Sequence, residues 1–277
     1  MSIRERIAVS TWSLHRYLGM SYPHDLTTLT IQPGEPTWGD GEESLLGVPS
    51  ALRRHNIGIV DICSFHLRSL DPIYLNELKA SLDASNVTLQ MLQIDAGDIT
   101  DPVTGQRDLK WTAHWLDVAN ALGAKYARVI AGRQPASSEA LERSAQGLLT
   151  LAAHNAGSPV RILVENWFEL LDHPADVHAL FDKLNGKVGL NVDTGNWRGT
   201  RKYADLAAIF APAELCYVNP IFNDGLLDAD DLEKVLTIAD GAGYTGNFTL
   251  IYDADHPASE WAGLDAMIAG LEQHYGH

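Results

Sequence analysis

The chain alternates short apolar runs with amphipathic stretches of helix length. Eight runs have the nearly continuous apolar character of parallel strands that are covered on both faces. They lie at residues 7–13, 57–63, 87–94, 124–130, 160–166, 187–193, 214–219 and 247–253. The amphipathic stretches lie at 44–55, 72–85, 109–122, 138–155, 174–184, 203–210, 230–242 and 259–275. Strand and helix alternating eight times is the pattern of an α/β fold of the (β/α)₈ TIM barrel type.

The length of 277 residues fits one such barrel, for which about 250 residues are usual. A doubly wound sheet fits less well, because no strand is followed by a glycine-rich phosphate loop. No linker or low-complexity tract divides the chain, so we predict a single domain over residues 1–277. Segment 15–43 is rich in Pro, Gly and Thr and follows the first strand, which predicts a lid on the mouth side of the barrel.

Charge and hydropathy restrict the partners of this chain. Twenty Lys and Arg residues against 36 Asp and Glu residues give a formal net charge of −16. Binding to a phosphate backbone needs a basic stripe, so no nucleic-acid partner is expected. No window approaches the roughly 20 apolar residues of a membrane span, and the N-terminus lacks the apolar stretch of a signal peptide. We therefore expect a cytoplasmic protein with no membrane partner, in which Cys63 and Cys216 are buried thiols.

Two acidic residues end consecutive predicted strands. Glu165 lies in VRILVENW and Asp193 lies in VGLNVDTGNW. In a barrel of this type the working residues lie at the carboxyl ends of the strands, so both side chains should project into one mouth. Two convergent carboxylates suit a hard divalent cation, or a base and its electrostatic partner. A single polar residue at a strand end is equally compatible with simple exposure to water in the mouth.

The motifs LVENW and GLNVDTGNW, the final strand in AGYTGNFTLIYD and the LGAKYARVIAG stretch resemble the xylose-isomerase-like TIM barrels. This family is often described as sugar phosphate isomerases and epimerases. The resemblance extends from the first strand to the last helix. It implies a barrel that binds one or more divalent metal ions, here Mn, Mg or Zn, and acts on sugars, polyols or related compounds. A side branch of the superfamily cleaves DNA at abasic sites.

The resemblance implies metal ligands at the ends of strands five to eight, in the order Glu, Asp, His and Glu. Glu165 and Asp193 match the first two positions. Strand seven reads CYVNPIFND, which places Tyr217 or Asn219 where the family has His. The predicted metal ligands are therefore Glu165, Asp193 and Asn219, from a set that lacks the family's imidazole.

Strand eight departs from the family as well. The expected Glu falls on Ile251, and Asp253 lies two residues further along, on the same side of the strand and about 6–7 Å nearer the solvent. Family epimerases use carboxylates of strands five and eight as bases on opposite faces of an enediolate. The implied mechanism is proton abstraction beside a carbonyl, with a metal ion polarising the oxygens. Glu165 is then the predicted base, and Asp253 is its predicted catalytic partner.

Further residues near the predicted mouth are candidates for substrate binding. Aromatic rings stack on sugars, carboxylates accept hydroxyl protons, and arginines neutralise a carboxylate or phosphate. The candidates are Trp12, His66, Asp95, Arg128, Arg133, Trp167, Asn196 and Lys202, with His256, Glu260 and Trp261 after the last strand. For Arg128, pairing with a neighbouring barrel acid is an equal alternative. Lys202 is interpreted as the cation next to Asp193, and His66 as either a substrate contact or a loop or core residue.

Three functions follow from these observations. The first is a sugar or sugar phosphate isomerase or epimerase acting on a small carbohydrate-like substrate. The second is a metal-free binding barrel without catalysis, for which Ile251 and Asn219 argue. The third is an abasic-site endonuclease, which the net charge of −16 and the missing imidazole of strand seven disfavour. Barrels of this kind often pair, so a homodimer is also an open expectation.

Overall fold

The computed structural model describes residues 2–254 and 259–276. Within them, eight parallel strands form a closed barrel in which each strand pairs with its neighbours in the chain and β1 closes against β8. The strands are β1 (Ile7–Ser10), β2 (Ile59–Cys63), β3 (Thr88–Gln93), β4 (Tyr126–Val129), β5 (Arg161–Glu165), β6 (Gly189–Asp193), β7 (Ala213–Val218) and β8 (Phe248–Leu250). The predicted single-domain (β/α)₈ TIM barrel is confirmed.

Helices on the outside of the barrel connect the strands. They are α1 (Val48–Arg54), α2 (Pro72–Ala84), α3 (Gly105–Leu122), α4 (Ser138–His154), α5 (Pro174–Leu184), α6 (Lys202–Ile209), α7 (Ala229–Gly241) and α8 (Glu260–Tyr275). Local chemistry sets their ends. Asp71 caps α2 by accepting a hydrogen bond from the Ile73 backbone N–H at 2.8 Å, and Gly123 ends α3 at a φ of 75°. Among the described residues, no helix is long and apolar enough to cross a membrane.

The apolar core is divided by the barrel wall. A large cluster fills the space between strands and helices, whereas a small one lies inside the barrel and consists of Met91, Leu163, Leu215, Tyr217 and Ile251. Successive residues of a strand point to opposite sides, so β3, β5 and β7 contribute to both clusters. Tyr217 and Ile251 also face the cavity at the mouth, which therefore has an apolar floor.

The first and last strands are shorter than the sequence predicts. After Ser10 the chain turns into a 3₁₀ helix over Thr11–Leu14, and the Trp12 backbone N–H donates to the Ser10 hydroxyl at 3.1 Å. This local hydrogen bond replaces the strand pairing that residues 11–13 were expected to make. β8 ends at Leu250, so Asp253 lies in the irregular chain beyond it.

Segment 15–43 carries a helical turn at His15–Leu18 and a hairpin of His24–Asp25 with Thr30–Ile31. Near its end, the Trp38 ring lies 6.4 Å from that of Trp12 and 5.7 Å from that of Phe65. Trp12 and Phe65 both line the cavity at the mouth. The placement is compatible with a lid, and that role stays a prediction.

Candidate active site

A cavity of about 260 Å³ opens at the carboxyl ends of the strands. Nine of its lining residues are predicted site residues, and they come from both halves of the chain: Trp12, Asp95, Arg128, Glu165, Trp167, Asp193, Asn196, Asn219 and Asp253. Tyr217, the alternative to Asn219 at the position of the family's His, and Ile251 line it too. Parallel strands deliver all of their ends to one rim, which is why residues so distant in sequence meet here.

Glu165 and Asp193 are side by side in this cavity and almost fully buried. Both close their strands, and the side chains are 6% and 4% exposed. Asn196 bridges them: its side-chain amide donates to Glu165 Oε1 at 2.6 Å, while its backbone N–H donates to Asp193 Oδ1 at 3.0 Å. The sequence prediction that these two carboxylates share one mouth agrees with their placement.

The backbone of β6 at Asp193 is held by a neighbouring side chain. The Asn166 amide accepts from the Asp193 N–H at 2.8 Å and donates to the Asp193 carbonyl at 3.0 Å. The Gly195 N–H donates to Asp193 Oδ1 at 2.6 Å. Asn166 of the ENW motif therefore positions Asp193, and Asn196 of the DTGN motif positions Glu165. Gly195 of DTGN also holds the acid of its own motif.

Arg128 at the end of β4 is a buried cation next to Glu165. Its Nη2 donates to Asp95 Oδ1 at 2.5 Å, and its Nε lies 3.2 Å from Glu165 Oε2. The guanidinium also lies 5.1 Å from the centre of the Trp167 ring, within the range of a cation–π contact. Arg128 thus pairs with barrel acids, which is one of the two alternatives left open by the sequence, and it also lines the cavity. Its contact with a substrate stays a prediction.

Burial dominates the ionisation of these groups. It raises the pKa of Glu165, with Arg128 opposing the shift and Asp193 adding to it. It also raises the pKa of Asp193, against the hydrogen bonds from the Gly195 N–H and from Asn219. The pKa of Asp95 is likewise raised by burial, and Arg128 again opposes the shift. A buried carboxyl with a raised pKa is suited to proton transfer near neutral pH.

The other side of the cavity is more open. Asp253 is exposed and accepts a hydrogen bond from the Trp12 indole N–H at 3.3 Å, while Ile251 is buried. Asp253 therefore lines the cavity from beyond the isoleucine, as its position in the sequence predicts. His256 lies outside the described residues.

The donor groups at the end of β7 do not suit a metal ion. The Asn219 amide nitrogen faces both oxygens of Asp193 at 3.4 and 3.5 Å, and the Tyr217 hydroxyl points to the Met91 sulfur at 4.0 Å. One Glu165 oxygen accepts from Asn196, and the other faces a guanidinium. In the described ranges, no group of three His, Cys, Asp or Glu side chains could hold a metal ion. These residues do not fit the divalent ion expected at Glu165, Asp193 and Asn219, and no step proposed below uses one.

The lining of this cavity does not include five of the predicted substrate contacts, namely His66, Arg133, Lys202, Glu260 and Trp261. His66 is buried, shares a hydrogen bond with the Thr11 hydroxyl at 2.9 Å and borders a separate cavity of about 350 Å³ below segment 15–43. Arg133 is exposed, and its guanidinium donates to the carbonyls of Gly97 and Asp95.

Lys202 is not the cation next to Asp193. It is 2% exposed and donates to Asp231 Oδ1 at 2.5 Å, so its charge is neutralised between the starts of α6 and α7. Asp231 lies 29 residues further along the chain, and no local spacing signals the pairing. Glu260 is also occupied elsewhere, since it accepts from the backbone N–H groups of Arg16 and Tyr17.

The cavity also contains residues that the sequence did not indicate as binding groups: Cys63, Phe65 and Gln93. Cys63 and Gln93 are the last residues of β2 and β3, and the rule that strand ends face the mouth accounts for their position. Phe65 follows β2 in a short helical turn and carried no such signal.

A sequence model described as xylose isomerase-like TIM barrel matches residues 50–262. The chain belongs to this family. No curated protein matches the chain. Among solved structures, the barrel is similar to L-ribulose 3-epimerase, with a TM-score of 0.71 and 13% identity over 99% of this chain and 96% of that one. At such identities the likeness concerns the fold.

Two further solved structures show a similar likeness. The 3-keto-D-glucoside 4-epimerase of E. coli has a TM-score of 0.66 and 15% identity, over 83% of this chain and 94% of its own. A xylose isomerase-like protein of Mycobacterium smegmatis, solved in complex with magnesium, has a TM-score of 0.69 and 16% identity over 100% and 98%.

Proposed function

We propose that this xylose isomerase-like barrel is a sugar epimerase or isomerase that moves a proton on a carbon beside a carbonyl group. Family membership and the similarity to two sugar epimerases, the L-ribulose 3-epimerase and the 3-keto-D-glucoside 4-epimerase, support the substrate class. The observation that carries the proposal is the buried Glu165 carboxyl in a cavity of about 260 Å³ at the catalytic end of the barrel.

Glu165 is the proposed base. Its buried carboxylate is less stable than one in water, so it accepts a proton more readily than an exposed glutamate does. Asn196 holds Oε1, which leaves Oε2 to face the substrate beside Arg128. The negative charge that develops on the carbonyl oxygen requires a nearby positive group or hydrogen-bond donor.

Asp253 is the proposed second acid. It reaches the cavity from the chain just beyond β8, which lies three strands away from β5 around the barrel. Glu165 takes a proton from one face of the substrate carbon, which produces a planar intermediate, and keeps that proton. Asp253 in its protonated form then donates its own proton to the other face and is left as a carboxylate. The Trp12 indole N–H holds the Asp253 carboxylate, and the Trp12 and Trp167 rings offer surfaces for the apolar face of a sugar.

Exchange of carbon-bound hydrogen with solvent tests this proposal. Ketoses, aldoses and polyol phosphates are incubated with the protein in D₂O, and loss of a C–H signal is followed by proton NMR. Glu165→Gln keeps the shape of the side chain but removes the base, so we expect exchange to fall by about 10²–10⁴-fold. Glu139→Gln, the same change at an exposed position of α4, should exchange at the wild-type rate.

Full exchange by Glu165→Gln on a substrate that the wild type turns over excludes Glu165 as the base. A metal-free binding protein is the second candidate, because Ile251 and Asn219 occupy two positions of the family's ligand set. That function predicts saturable sugar binding with no exchange in either protein.

A further inference from the structure

Arg128 is enclosed by acids in a way that fixes a positive charge inside the cavity. The side chain is 4% exposed and lies between Asp95, at 2.5 Å, and Glu165, at 3.2 Å. A buried guanidinium is stable only when it is paired, and pairing with two carboxylates on different strands holds its plane in one orientation. The positive charge of Arg128 is therefore a fixed part of the folded cavity.

Several polar atoms around this guanidinium are buried without a hydrogen-bond partner. They are Arg128 Nε and Nη1, Glu165 Oε2 and Asp95 Oδ2. The Arg128 Nε contact with Glu165 is close enough for an ion pair but does not have the geometry of a hydrogen bond. Buried polar groups are nearly always hydrogen-bonded, so this arrangement indicates a ligand that supplies the partners.

The four atoms are of two chemical types, two donors and two acceptors. The guanidinium N–H groups can only donate, and the ionised carboxylate oxygens can only accept. A hydroxyl group does both, so one hydroxyl can accept from Arg128 and donate to Asp95 or to Glu165. Neighbouring hydroxyl and carbonyl oxygens on a sugar can supply partners to both donors and acceptors.

The charge of the cavity limits what this ligand can carry. Among its described lining residues, one guanidinium faces four carboxyl groups, namely Asp95, Glu165, Asp193 and Asp253. Arg128 is already shared between two of them. A phosphate or carboxylate on the ligand would meet a net negative surface, whereas an uncharged sugar would not.

We propose that the Arg128 guanidinium, rather than a divalent metal ion, is the cation of this cavity, and that the cavity binds an uncharged polyhydroxy carbonyl compound. Arg128 donates to the carbonyl oxygen of the bound compound and stabilises negative charge on it. The assignment of that oxygen as a reacting carbonyl rests on the function proposed above. The preference for an uncharged ligand and the independence of binding from a metal ion do not rest on that proposed function.

Metal titration tests the first half without any sugar. Mn²⁺ is titrated into wild type, Arg128→Gln and Arg128→Lys by calorimetry, with near-ultraviolet circular dichroism to confirm folding. We expect no stoichiometric uptake by wild type or Arg128→Lys. Arg128→Gln leaves the acids without their cation, so its affinity for Mn²⁺ should be at least about tenfold higher than that of wild type. If Arg128→Gln does not fold, the wild type and Arg128→Lys still decide. One Mn²⁺ bound tightly by wild type overturns the proposal.

Ligand binding in EDTA tests the second half. D-fructose, D-allulose, D-tagatose and L-ribulose are compared with D-fructose 6-phosphate by ligand-observed NMR. We expect at least one uncharged sugar to bind, without change on adding Mn²⁺, and the phosphate ester to bind at least about tenfold more weakly. Tighter binding of the ester, or no binding by any uncharged sugar, contradicts the proposal.

The two proposals fail in different ways. Sugar binding in EDTA with no hydrogen exchange refutes the epimerase function and leaves the role of Arg128 as a binding cation intact. Hydrogen exchange that requires added Mn²⁺ supports the epimerase function and refutes the assignment of Arg128 as the cation.

Discussion

Asp61 is a buried carboxyl group whose ionisation makes the stability of this barrel depend on pH. It lies inside the barrel, fully buried, and accepts hydrogen bonds from the Gln90 amide at 3.0 Å and the Thr249 hydroxyl at 2.8 Å. Burial raises the pKa of Asp61 to about 7, against the hydrogen bonds from Thr249 and Gln90 and the charge of Arg128. The folded state therefore binds a proton here that the unfolded chain releases at lower pH.

The sign of the pH effect follows from this difference. The contribution of the protonated Asp61 side chain to the free energy of unfolding is fully present below pH 3.8, the ordinary pKa of Asp. It is lost as the pH rises towards about 7, the pKa in the folded state. Asp61→Asn removes the titration. Between pH 4 and pH 8, measured by urea unfolding, wild type should lose roughly 1–4 kcal/mol relative to Asp61→Asn. Asp83→Asn, at an exposed position of α2, should follow wild type, and a constant difference between wild type and Asp61→Asn would falsify the assignment.

The placement of individual site residues could be predicted from the sequence where a strand fixes the direction in which the side chain points. Glu165 and Asp193 end apolar strands, so their convergence follows from barrel geometry alone. Lys202 and His66 lie in the turns and helix starts beyond the strands, where partners are set by tertiary contacts. Lys202 pairs with Asp231, and His66 turns to Thr11. Their partners carry no signal in local sequence.

At the scale of elements, the helices and the inner strands were predicted to within a few residues because their apolar periodicity reflects burial on the barrel. The errors are at β1 and β8, where apolar residues continue beyond the hydrogen-bonded strand. Trp12 and Ser13 are packed in a 3₁₀ turn, and Ile251 packs inside the barrel after β8 has ended. Apolar character reports burial and does not distinguish a strand from the buried turn that follows it.

Segment 15–43 contributes Trp38 to an aromatic cluster with Trp12 and Phe65, both of which line the cavity. If the segment is a lid, the Trp38 ring holds it against the mouth of the cavity through these aromatic contacts. Trp38→Ala should weaken sugar binding by about 2–10-fold, the value of one or two aromatic contacts, and should speed chymotrypsin cleavage between residues 15 and 43. Trp38→Phe keeps a ring and should lie near wild type. Unchanged cleavage and affinity in Trp38→Ala would show that the segment does not depend on this contact.

At the scale of the whole molecule, the charge of −16 was available from composition, and it disfavours the nuclease function without reference to the site. Composition does not determine where the few cations go. Arg128 and Lys202 are buried together with their acidic partners, so these ion pairs leave most of the net negative charge on the rest of the protein. Such a surface repels itself, and the repulsion opposes the compact state.

Salt should therefore stabilise this protein. Surface pairs such as Lys183 with Glu142, at 2.8 Å, are weakened by salt, but each contributes only about 0–1 kcal/mol. The repulsion acts between many acids at longer range, and screening removes it once the Debye length falls below their separation. Raising NaCl from about 20 mM to about 500 mM should raise the midpoint of thermal unfolding by about 2–4 °C for each kcal/mol of repulsion removed. Sodium sulfate at equal ionic strength separates screening from exclusion of the salt at the protein surface, because exclusion adds a further rise with sulfate alone. A midpoint that falls with NaCl would mean that favourable ion pairs outweigh the net repulsion.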